Sequence, residues 1–589
     1  MCNKIYYQDI VNYFDLEAEY DRKKYEELRS LPLKDRIHKR KTIDGIHWDS
    51  SYEKVSEEGE RLYRLIVHNN LSDFTEGEKL ELHNINDSLN VKCTLYQYDE
   101  NENIIIAVYR TENPLNDAWE NESLILDKDF VDLRDYVYSK YISSEPKSAD
   151  EWENKLINTF PIPSFCKVDE MDLELEDTEI NFKISLNEKQ REAIIRSMAT
   201  NSHYLIQGPP GTGKSFVLSI IILEELLFFK HKVIVTGPNH MAINNALDQV
   251  LKLGPELAPC IGKIGPLYKA SNFSIEKDGH SYQVQKLPNI DVSRLNIHND
   301  SVLLGLTPHA LYTRRARGLK FDTLVIDEAG QISIPLALMA MKDAKKVIFA
   351  GDHKQLPPII TSDKIAPTLR QSIFQRLITD ENCTLLDTSY RMCEPICRFI
   401  SDLFYDGKLK AYNNGKGIAI RKGGDLYSFD TPVVLLNVDH EGKQTSDEEA
   451  QEIEEIISTY CEFLGLPPKD IGVLSPFRAQ VSTIRRVLNK SILLSDLTKH
   501  DVLVDTIDKM QGQEREVIIL SMAAGDLLYM QEMGEFLYNP QKLNVAFSRS
   551  RSKLIIIGNI KKMRCLDLKT YPHIAMMLES EDAIHLNFE

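Results

Sequence analysis

Gly208-Pro209-Pro210-Gly211-Thr212-Gly213-Lys214-Ser215 is an unbroken phosphate-binding motif, set between an apolar run from Tyr204 to Ile206 and a longer one from Phe216 to Phe229. That setting predicts a strand, a tight loop and then a helix. The glycines let successive backbone N–H groups curl around phosphate oxygens, and the helix turns its positive end toward the same point. Lys214 is placed to reach the outer phosphates, and the Ser215 hydroxyl to ligate Mg²⁺. The expected ligand is a nucleoside triphosphate.

From about Leu186 the rhythm is strand, loop, helix. Short β-branched runs recur at 232–236, 301–306, 323–326 and 346–350, and a second set follows at 433–436, 471–474, 502–505, 517–520 and 554–557. Such runs alternating with helices indicate parallel sheets covered on both faces, and two sets indicate two α/β lobes. Before them, Tyr7 to Lys41 is charged and helix-like, Val91–Tyr98 and Ile104–Arg110 are strand-like about a turn at 99–103, and helical character returns from Asp129 to Phe160. The acidic stretch Asp169 to Glu179 reads as a linker or edge strand. Ser446 and Glu449 form a capping-box pattern that opens a helix of the second lobe. The expected division is 1–46 helical, 47–125 a small β-module, 126–168 a returning helix, 169–386 the first lobe and 387–589 the second.

Composition sets limits on function. A hydrophobic share of 42% with 27% charged residues suits an ordinary globular chain. The most apolar run, Val217 to Phe229, is broken by Glu224 and Glu225, so a buried helix is expected rather than a membrane span. Met1-Cys2-Asn3-Lys4-Ile5 lacks the apolar core of a secretory signal, so none is expected. The nine cysteines include no C-x-x-C pair, and Cys393 and Cys397 lack a second pair to complete a metal site. Reduced thiols and a cytoplasmic or other intracellular setting, the nucleus included, are expected. A net charge of −19 argues against an indiscriminate polyanion binder but leaves room for a local basic groove. The cluster Arg314-Arg315-Arg317-Lys320 suits either such a groove or a solvated helix end.

Asp327-Glu328-Ala329-Gly330-Gln331 directly follows the apolar run 324–326, at the sheet edge where ligands of parallel sheets bind. Asp327 suits Mg²⁺, and Glu328 suits the attacking water. Gly351-Asp352-His353-Lys354-Gln355-Leu356-Pro357-Pro358 follows the next run, and Gln355 suits both the γ-phosphate and that water.

These motifs in this order resemble superfamily 1 helicases. Ser389-Tyr390-Arg391-Met392, Leu403-Phe404-Tyr405-Asp406-Gly407, the stretch from Val504 to Glu514 and that from Leu543 to Arg551 make the chain similar to superfamily 1B, the branch of the nonsense-mediated-decay and immunoglobulin-mu-binding-protein helicases. The resemblance spans about Leu186 to Asn559 and, more weakly, the N-terminal section. It implies two RecA-like lobes preceded by a helical stalk and a small β-barrel. It implies that Gln190 bonds the adenine edge, Tyr390 stacks on the base and Glu514 contacts the ribose. Arg391 and Arg549 become arginine fingers. Pro238, Asn239, Thr307, Ser475, Pro476 and Thr506 become contacts to the nucleic-acid backbone. Departures stand at the loop 237–240, at Asn244, where Asp is commoner, and at Ser389, where Gln is commoner.

The expected function is an ATP-dependent, Mg²⁺-requiring helicase or translocase on single-stranded DNA or RNA, moving 5′ to 3′ by analogy. The competing reading is a nucleotide-controlled binding or scaffolding subunit. With no nuclease signature evident, nuclease or targeting functions are expected from protein partners, and no membrane is expected to be involved.

Overall fold

The short apolar runs after Leu186 assemble into two separate parallel sheets in the computed structural model, which describes residues 4–39, 41–55, 60–67, 74, 78–98, 103–108, 115–120, 122–143, 157, 163–265, 274–277, 279–287, 301–313, 316, 319–412, 426, 429–510 and 512–587. Six strands precede them: β1 Thr42–Val55, β2 Arg61–Ile66, β3 Lys79–Asn84, β4 Asn90–Tyr98, β5 Ile104–Val108 and β6 Leu124–Lys128. They close into an antiparallel barrel of order β1-β2-β5-β4-β3-β6. The two-residue alternation of a strand sends Tyr63, Leu65, Leu80, Leu82, Ile104, Ile106, Leu124 and Leu126 to its interior.

The helix Tyr7–Ser30 joins this barrel to the first lobe. Its buried residues Ile10, Tyr13 and Phe14 belong to one core with Tyr138, Tyr141 and the first-lobe helix Ile334–Met341. Phe14 stacks on Tyr138 at 4.3 Å between centroids, and the Tyr13 hydroxyl lies 3.1 Å from Ser333 Oγ.

The first lobe contains β7 His203–Gln207, β8 Lys232–Thr236, β9 Ile261–Ile264, the hairpin β10 Ser274–Lys277 and β11 His280–Gln283, then β12 Gln285–Leu287, β13 Val302–Gly305, β14 Thr323–Ile326, β15 Lys346–Gly351 and β16 Cys383–Leu385. Its eight-stranded sheet runs β12-β9-β13-β8-β14-β15-β7-β16. Two short parallel strands, β17 Thr388–Ser389 and β18 Lys410–Ala411, follow. The second lobe has β19 Val433–Asn437, β20 Ile471–Ser475, β21 Leu503–Thr506, β22 Arg515–Ser521, β23 Ser550–Gly558 and β24 Ala583–Leu586, ordered β21-β20-β22-β23-β19-β24. The fold is therefore α/β, with two RecA-like parallel sheets, N-terminal helices and a closed six-stranded barrel.

Two expectations are corrected. The acidic stretch 169–179 lies within a helix, Val168–Phe182. Met171, Leu175 and Thr178 fall on one buried face, and Arg191 collects Asp172, Glu176 and Glu179 from the acidic one. Ser446 does cap the helix Asp447–Ser458, accepting the Glu449 N–H at 3.0 Å. The reciprocal half of the box is absent: the Ser446 N–H goes to Gln480 Oε1, and the Glu449 carboxylate turns inward to Ser521, the Ala523 N–H and His440. Most of the turn at 99–103, along with Arg314, Arg315 and Arg317, lies outside the described residues. Among the described residues no helix is long and apolar enough to cross a membrane.

Asp127 on β6 pins the stalk to the barrel. It is 2% exposed and accepts from Arg29 at 2.5 Å, His83 Nε2 at 2.9 Å, Arg36 and the Thr42 hydroxyl. Burial alone would raise this carboxyl, but the bonds from His83 and Thr42 and the Arg36 charge hold it below the usual range. Burial likewise pulls His83 down, but the bonds to Asp127 and the Asn84 carbonyl and the charges of Asp127 and Asp87 together more than reverse it. Replacing Asp127 with Ala should cost about 3 kcal/mol, the low end for breaking a buried pair because Arg29 keeps some solvent. The depressed Asp127 value gives stability present above about pH 4 and lost as pH falls through its native value. The raised His83 value gives stability present below about pH 6.5 and lost as pH rises through its native value. The deficit of Asp127→Ala should therefore be largest between those limits, as denaturant titrations across the pH range would show.

Candidate nucleotide site between the lobes

The phosphate-loop motif fills the turn between β7 and the helix Lys214–Leu227. Gly211 and Gly213 take left-handed backbone angles, φ +76° and +80°. Gly211 meets a second constraint, since a Cβ there would lie 2.5 Å from Arg391 Cβ and 2.7 Å from Ser389 Oγ. The segment after β16 is thus pressed onto the loop. Ser389 Oγ donates to Pro210 O at 2.9 Å, and the Tyr390 N–H donates to Gly211 O at 2.8 Å.

Lys214 Nζ sits 2.5 Å from Asp327 Oδ1 and 2.9 Å from Glu328 Oε1. Burial would lower this ammonium, but the two carboxylates outweigh it and keep it charged. Asp327, 2% exposed, is pushed up by burial, with Lys214 opposing. Glu328 has φ +53°, unusual for a side-chain-bearing residue. Its N–H bonds to Asp327 Oδ1 at 2.8 Å, and its Oε2 accepts from Gln331 at 3.0 Å.

Gln355 completes this wall. Its Nε2 donates to Asp352 Oδ2 at 2.9 Å, and its Oε1 lies 3.4 Å from Arg549 Nη2 of the second lobe. Arg549 is 3% exposed and also donates to Val545 O at 3.0 Å. Burial, then the neighbouring Arg391, pushes Arg549 down to about 9. Burial and Arg551 push Arg391 down to about 10, although its Nε contacts Glu514. Both shifts come first from burial of the guanidinium and then from a neighbouring arginine.

Arg391, Arg549 and Glu514 line one cavity of about 1060 Å³ together with residues 208–215, Asp327, Glu328, Gln355 and Tyr390. Gln190 stands behind the loop. It is 3% exposed, its Oε1 accepts from the Asn187 N–H at 3.1 Å, and its Nε2 donates to Thr212 O at 3.1 Å. Tyr390 remains 37% exposed, its hydroxyl 2.8 Å from Asn187 Nδ2 and its ring 4.7 Å from that of Tyr412. Glu514 is bracketed by Arg391 and Arg551. The structure therefore gathers the residues expected to surround a nucleotide at one cleft.

The positions expected to touch a strand lie apart from that cavity, except Asn239, which also lines it. Pro238 and Asn239 follow β8, Thr307 follows β13, Ser475 and Pro476 end and follow β20, and Thr506 ends β21. Asn239 caps the helix His240–Leu253 through the Ala242 N–H at 3.0 Å. Ser475 is fully buried, its hydroxyl accepting from the Phe477 N–H at 3.3 Å. Motif reading assigned no role to Asp352, Tyr405 or Asn544, which connect the two lobes; only their presence inside recognised motifs marks them in the sequence.

Gly211→Ala should strain a left-handed residue and drive its Cβ into Arg391 at once. We expect a loss of about 1–3 kcal/mol in stability together with weakened nucleotide binding, measurable by thermal denaturation and calorimetric titration.

Two family models, each described as an AAA domain, match residues 185–289 with 303–363 and residues 369–561. The chain is 27% identical over 510 residues to an uncharacterised ATP-dependent helicase of Methanocaldococcus jannaschii, covering 70% of this chain and 73% of that protein. It is 28% identical over 447 residues to the DNA polymerase alpha-associated DNA helicase A of Schizosaccharomyces pombe, covering 64% of each. Against the DNA replication ATP-dependent helicase/nuclease DNA2 of Mus musculus it is 27% identical over 454 residues, covering 70% of this chain and 40% of that protein. The chain thus spans 64% and 40% of the last two relatives. Among solved structures, the arterivirus nonstructural protein 10 helicase aligns with a TM-score of 0.37 at 12% identity, over 91% of this chain and 83% of that one. By its motif geometry, the two AAA-domain matches and the curated relatives, the chain is a helicase-like P-loop protein with two RecA-like lobes.

Proposed function

We propose that the chain is an ATP-dependent helicase or translocase on single-stranded nucleic acid, of the superfamily 1B type. One observation carries the reading: Lys214, Asp327, Glu328 and Gln355 of the first lobe face Arg391 and Arg549 of the second across a single cavity. A protein that only bound nucleotide has no need for charge supplied from both sides.

The donor set fits Mg²⁺ and ATP. A glycine-rich phosphate loop, a hydroxyl at Ser215 and a carboxylate at Asp327 suit a hydrated divalent cation on phosphate oxygens. Bound there, the cation would neutralise phosphate charge. In this reading residues 208–215 hold the phosphates, Glu328 accepts the proton of the attacking water, and Gln355 orients that water. Arg391 and Arg549 offset charge on the transferred group. Tyr390 offers a ring face to the base, Gln190 stands near its edge, and Glu514 meets the ribose.

The strand would cross the C-terminal edges of both sheets, at Pro238, Asn239, Thr307, Ser475, Pro476 and Thr506. Small polar and backbone groups there suit phosphate contacts that position without reading sequence. Cycles of lobe closure and opening would move the strand, and the barrel would lie over its path. Movement 5′ to 3′ rests on analogy with superfamily 1B. Nuclease or targeting functions would come from protein partners.

Lys214→Ala should abolish strand-stimulated ATP hydrolysis, whereas Glu328→Gln should bind ATP and turn over negligibly. Near-wild-type hydrolysis by Glu328→Gln would remove the proposed base. Partial duplexes carrying a single-stranded tail at one end test movement: unwinding from 5′ tails is expected, and unwinding only from 3′ tails would reverse the direction. No ATP-dependent action on any tailed substrate would favour a nucleotide-controlled scaffold.

Arg549→Ala should spare most ground-state ATP affinity and slow hydrolysis by about 10³-fold or more. Equilibrium nucleotide titration beside steady-state turnover separates the two effects. Weakened affinity with unchanged turnover would make Arg549 a binding residue only.

A further inference from the structure

Tyr405 follows the helix Glu394–Phe404 of the second lobe and is 3% exposed, its ring packed into that lobe's core. Its hydroxyl reaches the first lobe. There it donates to Asp352 Oδ2 at 2.6 Å, and it accepts from Asn544 Nδ2 at 2.8 Å. Burial, followed by the Asp352 charge, pushes this phenol well above its ordinary value, so it stays protonated and remains a donor.

Asp352 is the junction. The oxygen that takes the Tyr405 hydroxyl also takes Gln355 Nε2 at 2.9 Å. The other oxygen accepts from Gln207 Nε2 and from the Lys354 N–H, each at 3.1 Å. A carboxylate offers about four acceptor sites, and four donors are in place. One buried side chain therefore ties the strand feeding the phosphate loop, the turn bearing Gln355 and the opposite lobe. The same lobe grips that turn by its backbone: Asn544 Nδ2 donates to Lys354 O and Gln541 Nε2 to His353 O, both at 2.8 Å.

We propose that Tyr405 is a positioning residue that, through Asp352, fixes the Gln355 side chain when the lobes are in contact and frees it when they part. This rests on the ATPase reading above. Gln355 is then held at both ends by the second lobe, its nitrogen end through Asp352 and Tyr405 and its oxygen end by Arg549. Water orientation is thereby made conditional on lobe contact. Hydrolysis in a separated state, with no strand moved, is suppressed.

The test uses the full chain with Tyr405→Phe, which removes one oxygen and keeps the ring. With oligodeoxythymidylate or oligouridylate as the stimulating strand, kcat should fall about tenfold while the KM for ATP changes less than about twofold, the size expected for one lost positioning bond. In a Gln355→Ala background, Tyr405→Phe should cause no further loss, because a residue acting through Gln355 has nothing left to position. Equal losses in both backgrounds, or a raised KM with unchanged kcat, would overturn the proposal. Hydrogen exchange supplies a readout independent of turnover, since the amides of residues 352–356 should exchange faster in Tyr405→Phe. If the wild-type chain hydrolyses no ATP, the ATPase reading falls, and exchange alone then decides the latch: unchanged protection at 352–356 would overturn it.

Discussion

The two lobes meet over buried positive charge that their own carboxylates match only in part. Lys214 is matched by Asp327 and Glu328, and Arg391 and Arg549 enter the same cavity with Glu514 paired to Arg391. Like charges a few ångströms apart at a protein surface repel by about 4 kcal/mol at an effective dielectric near 20. Burial comes first in lowering their values to about 10 and 9, and a neighbouring arginine adds such repulsion to each, Arg551 to Arg391 and Arg391 to Arg549. A polyanion entering the cavity offsets both costs, so lobe contact and triphosphate binding favour one another. Electrostatics alone makes the cleft a device in which ligand charge and lobe separation are linked.

The geometry behind that linkage comes from using one topological rule twice. Every pairing in both large sheets is parallel, so all strands of a lobe end on the same edge. In the first lobe that edge carries the phosphate loop after β7, Asp327 after β14 and Asp352 after β15, beside Asn239 after β8 and Thr307 after β13. In the second it carries Ser475 and Thr506, direct neighbours across β20 and β21. In the first lobe the residues around the nucleotide cleft and the positions proposed to face a strand therefore share an edge, whereas in the second Glu514 and Arg549 directly precede β22 and β23, at the edge opposite Ser475 and Thr506.

Much of this was legible because it is local. The phosphate loop, the acidic pair and the continuous apolar strands each declare themselves within a few residues. What sequence hid was decided by distant partners. The acidic stretch from Asp169 reads as a linker or edge strand because its charges outnumber the three positions, Met171, Leu175 and Thr178, that face the core. Cys383–Leu385 becomes a strand only because β7 offers it an edge. Glu449 has the spacing of a capping residue, yet Ser521 and Ala523, more than seventy positions away, claim its carboxylate. Tyr405 and Asp352 stand 53 residues apart on opposite lobes, and no periodicity links them.

The acidic pair shows how such a site is held together. Consecutive residues of an extended strand point to opposite sides, so a strand running straight through Asp327 and Glu328 would offer Lys214 only one carboxylate. The chain leaves the extended conformation at that point, with Glu328 at φ +53°, a conformation that costs of order 1–3 kcal/mol in a residue bearing a side chain. Hydrogen bonds hold it there: Glu328 N–H to Asp327 Oδ1, Ala329 N–H to Ala350 O, Gln331 N–H to Glu328 O, and Gln331 Nε2 and Lys214 Nζ to the Glu328 carboxylate. Close packing of the following residues adds to them, for a Cβ on Gly330 would lie 2.5 Å from Asp352 O. The turn that carries Glu328 is thus braced against the turn that carries Asp352 and Gln355. Strain at the acid and contact at the junction belong to one rigid unit, which is how a movement of the second lobe at Tyr405 reaches the side chains facing the phosphate loop.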